Sequence, residues 1–195
     1  MRRAKIVGGT FAAMLLVSPG QAQPIVEGPN VFVFGGLFQD EFVWETAAFW
    51  RPHYEENVFV GAGYQNFFAD LPANFHIGIE VGGGLRLGQV SSAEVWSGFV
   101  LKNAGLTLGD LTISPSATAG ISVVTDTIGV ETKRAGRQDR SVTALFYFAP
   151  EIAVSHTSLP GFEAFARIQH RSGGYGIIAE IDGSNAATLG FRAKL

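Results

Sequence analysis

Cysteine is absent from the 195 residues of this chain, and charged residues make up only 16% of them. The absence of cysteine excludes a disulfide framework, a thiolate zinc site and a lipoprotein anchor, which needs a cysteine at its cleavage point. Soluble domains carry about 25% charged residues, so this chain has less charge than most soluble folds. Glycine and phenylalanine, at 25 and 16 residues, are abundant instead.

The N-terminus has the pattern of a secretory signal peptide. A basic start precedes an apolar stretch over residues 6–17, and small residues at 20–22 offer a cleavage site. We predict a signal peptide over residues 1–22 and one mature domain over residues 23–195, with an uncleaved N-terminal anchor as the alternative. Removing the signal peptide takes away three basic and no acidic residues, which changes the net charge from −3 to −6. A negative mature chain argues against nucleic acid as a partner.

Apolar and polar residues alternate with a period of two through the mature chain, which is the pattern of β-strands. In residues 75–87, for example, Ile77 and Ile79 share the apolar face, whereas Glu80 and Arg86 pair on the polar face. Eight strands are predicted, near residues 31–39, 57–67, 75–87, 92–102, 111–124, 142–154, 162–172 and 186–195. No later segment is long and apolar enough for a spanning helix, so only a closed barrel could place this chain in a bilayer.

The apolar faces can point outward to lipid or inward to a soluble core, and periodicity alone does not choose between them. A soluble lipocalin-like barrel that binds an apolar ligand would leave Glu80, Arg86, Glu94 and Lys102 outside. The signal peptide, strands of about 10–13 residues, and a polar face of glycine and paired charges favour the membrane. The predicted fold class is therefore all-β, an eight-stranded antiparallel transmembrane β-barrel of the Gram-negative outer membrane.

With eight strands both termini lie in the periplasm, so the longer loops over residues 40–56, 125–141 and 173–185 lie on the outer side. Four basic residues belong to the second of these loops: Lys133, Arg134, Arg137 and Arg140. They would bind the phosphates of lipopolysaccharide, or the loop is simply solvated. The aromatic segment over residues 42–54 suits the membrane–water boundary, as a ninth short strand or as a lip on the barrel.

The seventh predicted strand, residues 162–172, carries the one arrangement that indicates chemistry. Its alternation places His170 and Ser172 on the apolar, lipid-directed face, near the outer end of the strand. Their Cβ atoms are then roughly 6–7 Å apart, a gap that a histidine side chain can span. A histidine base beside a serine activates a nucleophile, and a serine hydrolase at this place would act on an ester of a membrane lipid. The alternative is a boundary histidine and a turn serine that end the strand before Gly173 and Gly174.

The C-terminal part of the chain resembles a known family. Three segments carry the resemblance: Ile168-Gln-His-Arg-Ser-Gly-Gly, Gly183-Ser-Asn-Ala and Leu189-Gly-Phe-Arg. With the signal peptide and the eight-strand pattern, they are similar to the lipid A 3-O-deacylase family of outer-membrane β-barrels (PagL-like, also called acyloxyacyl hydrolases). The architecture matches over residues 23–195 and the specific motif over residues 168–192. The resemblance implies an outer-membrane serine esterase, independent of metal and cofactor, that removes an ester-linked acyl chain from lipid A of lipopolysaccharide.

The resemblance also implies roles for individual residues. Ser172 would be the nucleophile and His170 the base, and in this family an acidic residue orients the histidine. The place of that acid is taken here by Ser184, so Glu180 or Asp182 of the same loop is the implied substitute. The implied catalytic set is therefore His170, Ser172, Glu180 and Asp182.

Gly173 follows the serine where the family has an asparagine. The backbone N–H groups of Gly173 and Gly174 are expected to be free near Ser172, where they would stabilise an oxyanion. The residues also fit a non-catalytic barrel with a structural or lipopolysaccharide-binding role, in which His170 and Ser172 can be exchanged without effect. Whether the protein forms a homodimer stays open. No ligand spacing links the four histidines, so no metal site or cofactor is predicted.

Overall fold

A computed structural model describes the protein over five segments. They are residues 24–40, 43–46, 53–136, 142–181 and 183–195, with the side chain of Trp44 excepted. The signal peptide expected over residues 1–22 lies outside these segments, so it stays a prediction. Within the five segments, no helix is long and apolar enough to cross a membrane.

The described segments form antiparallel strands of one closed sheet. The strands are β1 (Gly28–Gln39), β2 (Tyr54–Leu71), β3 (Phe75–Leu87), β4 (Ser92–Asn103), β5 (Leu106–Leu108), β6 (Leu111–Val124), β7 (Ala144–His156), β8 (Phe162–Ser172) and β9 (Ser184–Lys194). The long strands pair in chain order, with β4 next to β6, and β1 pairs with β9, so the sheet closes. The predicted eight-stranded antiparallel barrel is confirmed. The short β5 adds only a hairpin at the start of β6.

The predicted strand limits match the structure for β3, β6 and β8, and elsewhere they differ by a few residues at an end. β2 is the extreme case because its backbone stays paired beyond the clear side-chain alternation, from Tyr54 opposite Gln39 to Leu71 opposite Phe75. In the described part of the aromatic segment over residues 42–54 there is no ninth strand, and the lip stays a prediction. This segment contains the short helix α1 (Val43–Thr46), which packs against β8 and β9, and the first residue of β2.

The outer surface of the barrel is apolar and the interior holds the charge. Val33 is 58% exposed and Leu189 is 71% exposed, and both lie on outward faces. The four charged residues that a soluble barrel would leave outside are at most 1% exposed: Glu80, Arg86, Glu94 and Lys102. The lipocalin-like alternative is therefore wrong, because exposing the apolar faces to water and burying these charges would reverse the usual balance of a soluble protein.

Aromatic rings fill one part of the interior. The cluster contains Phe32, Phe34, Phe38, Phe59, Trp96, Tyr147 and Phe165. Several of these rings pack against inward glycines of neighbouring strands. A Cβ added at Gly82 would lie 2.2 Å from the Trp96 ring, and a Cβ added at Gly63 would lie 2.3 Å from the Phe32 ring. Part of the abundance of glycine and phenylalanine thus has a common cause, since a large inward ring needs a position without a side chain on the neighbouring strand.

An ion network fills the rest of the interior. Five carboxylates and five cations take part among the described residues: Glu80, Glu94, Glu131, Glu151, Glu163, Arg86, Lys102, Arg167, Arg171 and Arg192. Arg167 donates to Glu80 and Glu151 at 2.9 Å. The predicted pairing of Glu80 with Arg86 is wrong, because inward side chains reach across the barrel: Arg86 binds Glu131 at 2.5 Å instead. An eight-stranded interior is just wide enough to be filled by side chains, so the outer surface is where function is to be sought.

The two ends of the barrel differ in the length of their connections, except that the connection at residues 88–91 is short and lies at the outer end. Tight connections at residues 72–74 and 157–161 lie at the end that holds the C-terminal residue, and the loop over residues 173–183 lies at the opposite end. Short turns face the periplasm in outer-membrane barrels, so the second end is the outer one. There the helix α2 (Gly129–Gly136) lies at the mouth of the barrel with Glu131 fully buried.

Candidate active site

The two faces of β8 carry different chemistry. Arg167 and Arg171 point inward, where carboxylates of the ion network hold them. His170 and Ser172 alternate with these arginines and therefore lie on the outer face. His170 is only 6% exposed, and Ser172 is half-buried. The structure thus brings the predicted base and the predicted nucleophile to one face, at the outer end of one strand.

Neighbouring strands frame this pair. His170 lies opposite Phe148 of β7 on one side and opposite Asn185 of β9 on the other. Ser172 lies opposite Phe146 of β7. The pair is therefore bounded by two aromatic residues on one side and by an amide on the other.

Asn185 makes a direct contact with the predicted base. Its Oδ1 atom lies 2.5 Å from Nδ1 of His170, and the asparagine is fully buried. An amide oxygen only accepts hydrogen bonds, so Nδ1 of the histidine donates in this contact. In the neutral ring this places the proton on Nδ1 and leaves Nε2 as the basic nitrogen.

The place implied for the family's acid points the other way. Ser184 lies inside the barrel, where its hydroxyl accepts a hydrogen bond from Nη2 of Arg86 at 2.9 Å. Successive residues of a strand point to opposite faces, so Asn185 is the residue that faces His170. Counting back by two from the outward Leu189 gives this direction for Asn185, so this signal is present in the sequence. The register of Asn185 opposite His170 becomes visible only in the sheet.

The two acidic candidates stay predictions. Glu180 is exposed in the loop between β8 and β9, and Asp182 of the same loop lies outside the described residues. Nδ1 of His170 donates a hydrogen bond to Oδ1 of Asn185.

Gly173 has a structural reason to differ from the family's asparagine. A Cβ at this position would lie 1.8 Å from the carbonyl oxygen of Ala179, because the loop folds back against Gly173. The N–H of Gly173 donates to the carbonyl of Ile181 at 2.8 Å. The expectation that this N–H is free for an oxyanion is therefore wrong, since it closes the loop instead.

The loop after β8 presents apolar side chains next to the pair. Ala179 and Ile181 pack inward with Val142 and Leu145, which anchors the base of the loop. At its tip Tyr175 is fully exposed, and Ile177 is 79% exposed. Apolar side chains at the outer end of a membrane strand continue the lipid-facing surface of the barrel.

A groove in the lipid-facing wall lies below His170 and Asn185. It has a volume of about 450 Å³ and is lined by Gly35, Gly36, Leu37, Tyr54, Ala166, Ala187, Thr188 and Leu189. The opposed pairs His170–Asn185, Ile168–Ala187 and Ala166–Leu189 follow one another on the outer face. The groove therefore starts at Ala187, the next outward residue of β9 below Asn185, and extends toward the middle of the barrel wall.

The basic loop folds partly onto the barrel mouth. Arg134 donates to the carbonyl of Gly183 at 3.2 Å and forms an ion pair with Asp40 at 3.6 Å. Lys133 is exposed, and the other two basic residues of that loop lie outside the described residues. Binding of phosphate by this loop stays a prediction.

Across the part of the chain that the structure describes, no group of three or more metal-ligating side chains comes together.

Comparison with protein families and with curated proteins finds no match. Among solved structures, the outer membrane enzyme PagL is similar at a TM-score of 0.57, with 13% identity over 85% of this chain and 99% of that one. De novo designed transmembrane β-barrels follow at a TM-score of 0.48, with 14% identity over 89% and 99%. The N-terminal β-barrel domain of Pseudomonas aeruginosa OprF has a TM-score of 0.47, with 12% identity over 89% and 98%. The closed sheet and the similarity to PagL together show that the chain has the fold of an eight-stranded β-barrel of the Gram-negative outer membrane.

Proposed function

We propose that this protein is a serine esterase of the outer membrane that removes an ester-linked acyl chain from lipid A of lipopolysaccharide. One observation carries the proposal: His170 and Ser172 share the lipid-facing side of β8 at its outer end, and Asn185 binds the Nδ1 atom of the histidine at 2.5 Å. A purely structural barrel has no need of a buried, oriented imidazole on its lipid-facing side.

The reaction divides into acylation and deacylation of Ser172. Its Oγ attacks the ester carbonyl carbon while Nε2 of His170 takes the hydroxyl proton. The tetrahedral adduct collapses to an acyl-serine, and the sugar hydroxyl leaves with the proton from the imidazolium. Water then attacks the acyl-serine by the same proton route, which releases a fatty acid and restores the serine.

The surroundings of the pair suit an ester in the outer leaflet. The sugar headgroup of lipid A would lie at the level of Ser172, and an acyl chain would follow the groove below Asn185. The groove walls at Leu37 and Leu189 are apolar, which matches a hydrocarbon chain. The exposed Tyr175 and Ile177 extend this apolar surface beside the serine.

Mass spectrometry of lipid A tests the proposal. Purified protein is incubated with lipid A in detergent micelles, and loss of one ester-linked acyl chain is expected. In Ser172→Ala the rate falls by roughly 10³-fold or more, because the nucleophile is gone. The matched control is Ser158→Ala, which removes a serine two residues after His156 in the turn after β7 and leaves the rate unchanged. Thermal unfolding checks that each variant is folded.

Unchanged lipid A in the presence of folded wild-type protein would contradict the proposal. That result would favour the non-catalytic barrel with a structural or lipopolysaccharide-binding role. An equal loss of activity in both serine variants would likewise contradict the role of Ser172.

A further inference from the structure

We propose that Asn185 is the positioning residue of this esterase, an uncharged amide that orients His170 where the family that the chain resembles has an acidic residue. The inference rests on the proposed function, since it assigns a role within the same site. The inference also explains why no acid is needed at Ser184. The side chain at that position points into the barrel, and the next residue along β9, Asn185, contacts His170 instead.

The sheet fixes Asn185 opposite the base. The two residues are direct partners in an unbroken stretch of the β8–β9 ladder, so the backbone sets their separation. From inside the barrel, Arg86 holds the hydroxyl of the preceding Ser184 at 2.9 Å. At the other side of Asn185, Ala186 is fully buried. The asparagine therefore contacts His170 from a position that is anchored on both sides.

The chemistry of an amide predicts a distinct behaviour. The Oδ1 atom accepts the Nδ1–H of His170, which selects the tautomer whose Nε2 acts as the base. An amide carries no charge, so it stabilises the imidazolium formed during catalysis less than a carboxylate would. The same division, with a histidine base oriented by an asparagine, is known in papain-like hydrolases. An uncharged amide can therefore orient a catalytic histidine.

Two substitutions separate orientation from packing. In Asn185→Ala we expect kcat to fall about a hundredfold with little change in KM, because the substrate still binds while the base is no longer oriented. In Asn185→Asp we expect most of the activity to return, because the carboxylate accepts the same hydrogen bond. The acid limb of kcat against pH should then move by about one pH unit to higher pH, because the added charge favours the protonated histidine.

The positioning role is overturned if Asn185→Ala keeps wild-type kcat, or if Asn185→Asp is as inactive as Asn185→Ala with an unmoved acid limb. A wild-type protein without any hydrolysis would instead contradict the proposed function itself, so the two failures are distinguishable. If the alanine variant does not fold, ¹⁵N chemical shifts of the His170 ring in the wild-type protein decide the question. A protonated Nδ1 with a basic Nε2 supports the inference, and the opposite tautomer overturns it.

Discussion

Two segments of this chain have the spacing His-x-Ser, and they lie at opposite ends of the barrel. His170 and Ser172 end β8 on the outer side, whereas His156 ends β7 at the short-turn side and Ser158 follows in the turn. In the turn, the hydroxyl of Ser158 contacts Nδ1 of His156 at 2.8 Å, and both residues stay within reach of water. At the outer end, Nδ1 of the histidine contacts the amide of Asn185 from another strand.

The difference shows that the spacing alone does not make a site. The contact between Ser158 and His156 is a local turn interaction, of the kind that serine side chains commonly make near strand ends. The histidine of β8 is oriented by a neighbouring strand and lies on the lipid-facing side next to a groove. Only the second arrangement combines a positioned base, a nucleophile and room for a lipid chain.

Replacing each of the two histidines in turn tests this comparison, and these variants are expected to show the largest difference in rate. We expect His170→Ala to lower the rate of acyl release by about 10²–10⁴-fold, because the general base is lost. His156→Ala should leave the rate unchanged, since its contact only closes a turn. The release of fatty acid from lipid A micelles measures both. A comparable loss in the two variants would show that both histidines act through folding.

The two faces of β8 give a second comparison, in stability instead of rate. Arg167→Met should lower the free energy of unfolding by roughly 3–5 kcal/mol, because Glu80 and Glu151 lose a buried cationic partner. Ser172→Ala on the opposite face should change it by less than about 0.5 kcal/mol. Urea unfolding in micelles, followed by tryptophan fluorescence, measures both values. Equal stability of the two variants would contradict the ion network as a structural element.

A bulky residue in the groove is expected to have the smallest effect. Ala187→Phe would fill the groove below Asn185 and lower kcat/KM for a long-chain ester by about tenfold, with a smaller effect on an acetyl ester. Ala119→Phe is the matched control, because it is also a lipid-facing alanine and lies on β6. Kinetics with esters of both chain lengths distinguish the variants. A chain-length-independent effect would argue against the groove as an acyl site.

The period-two pattern predicts much of this fold. It locates the eight long strands and gives the limits of β3, β6 and β8 correctly. Glycines mark some of these limits, since Gly88 follows β3 and Gly161 and Gly173 flank β8. The same pattern assigns His170 and Ser172 to the outer face. The pattern does not show which inward side chains meet across the barrel. Arg167 could therefore not be identified as the partner of Glu80, which lies 87 positions earlier in the chain.

Local sequence also says little about register and loop structure. Asn185 meets His170 because β8 and β9 pair in one particular register, which depends on the whole ladder and not on either segment alone. The N–H of Gly173 was expected to be free, but the loop folds back and uses it for Ile181. Such contacts arise between residues whose proximity is set only after the strands have paired.

Lipid A from living cells offers the most direct test of the central claim, that Ser172 on the lipid-facing side of the barrel cleaves an outer-leaflet ester. The full-length protein and its Ser172→Ala variant are expressed separately in a Gram-negative host, and both are shown to be folded in the outer membrane. Mass spectra of the lipid A are then compared. The account predicts loss of one acyl chain only in cells with the wild-type protein. Identical spectra in the two strains would contradict it.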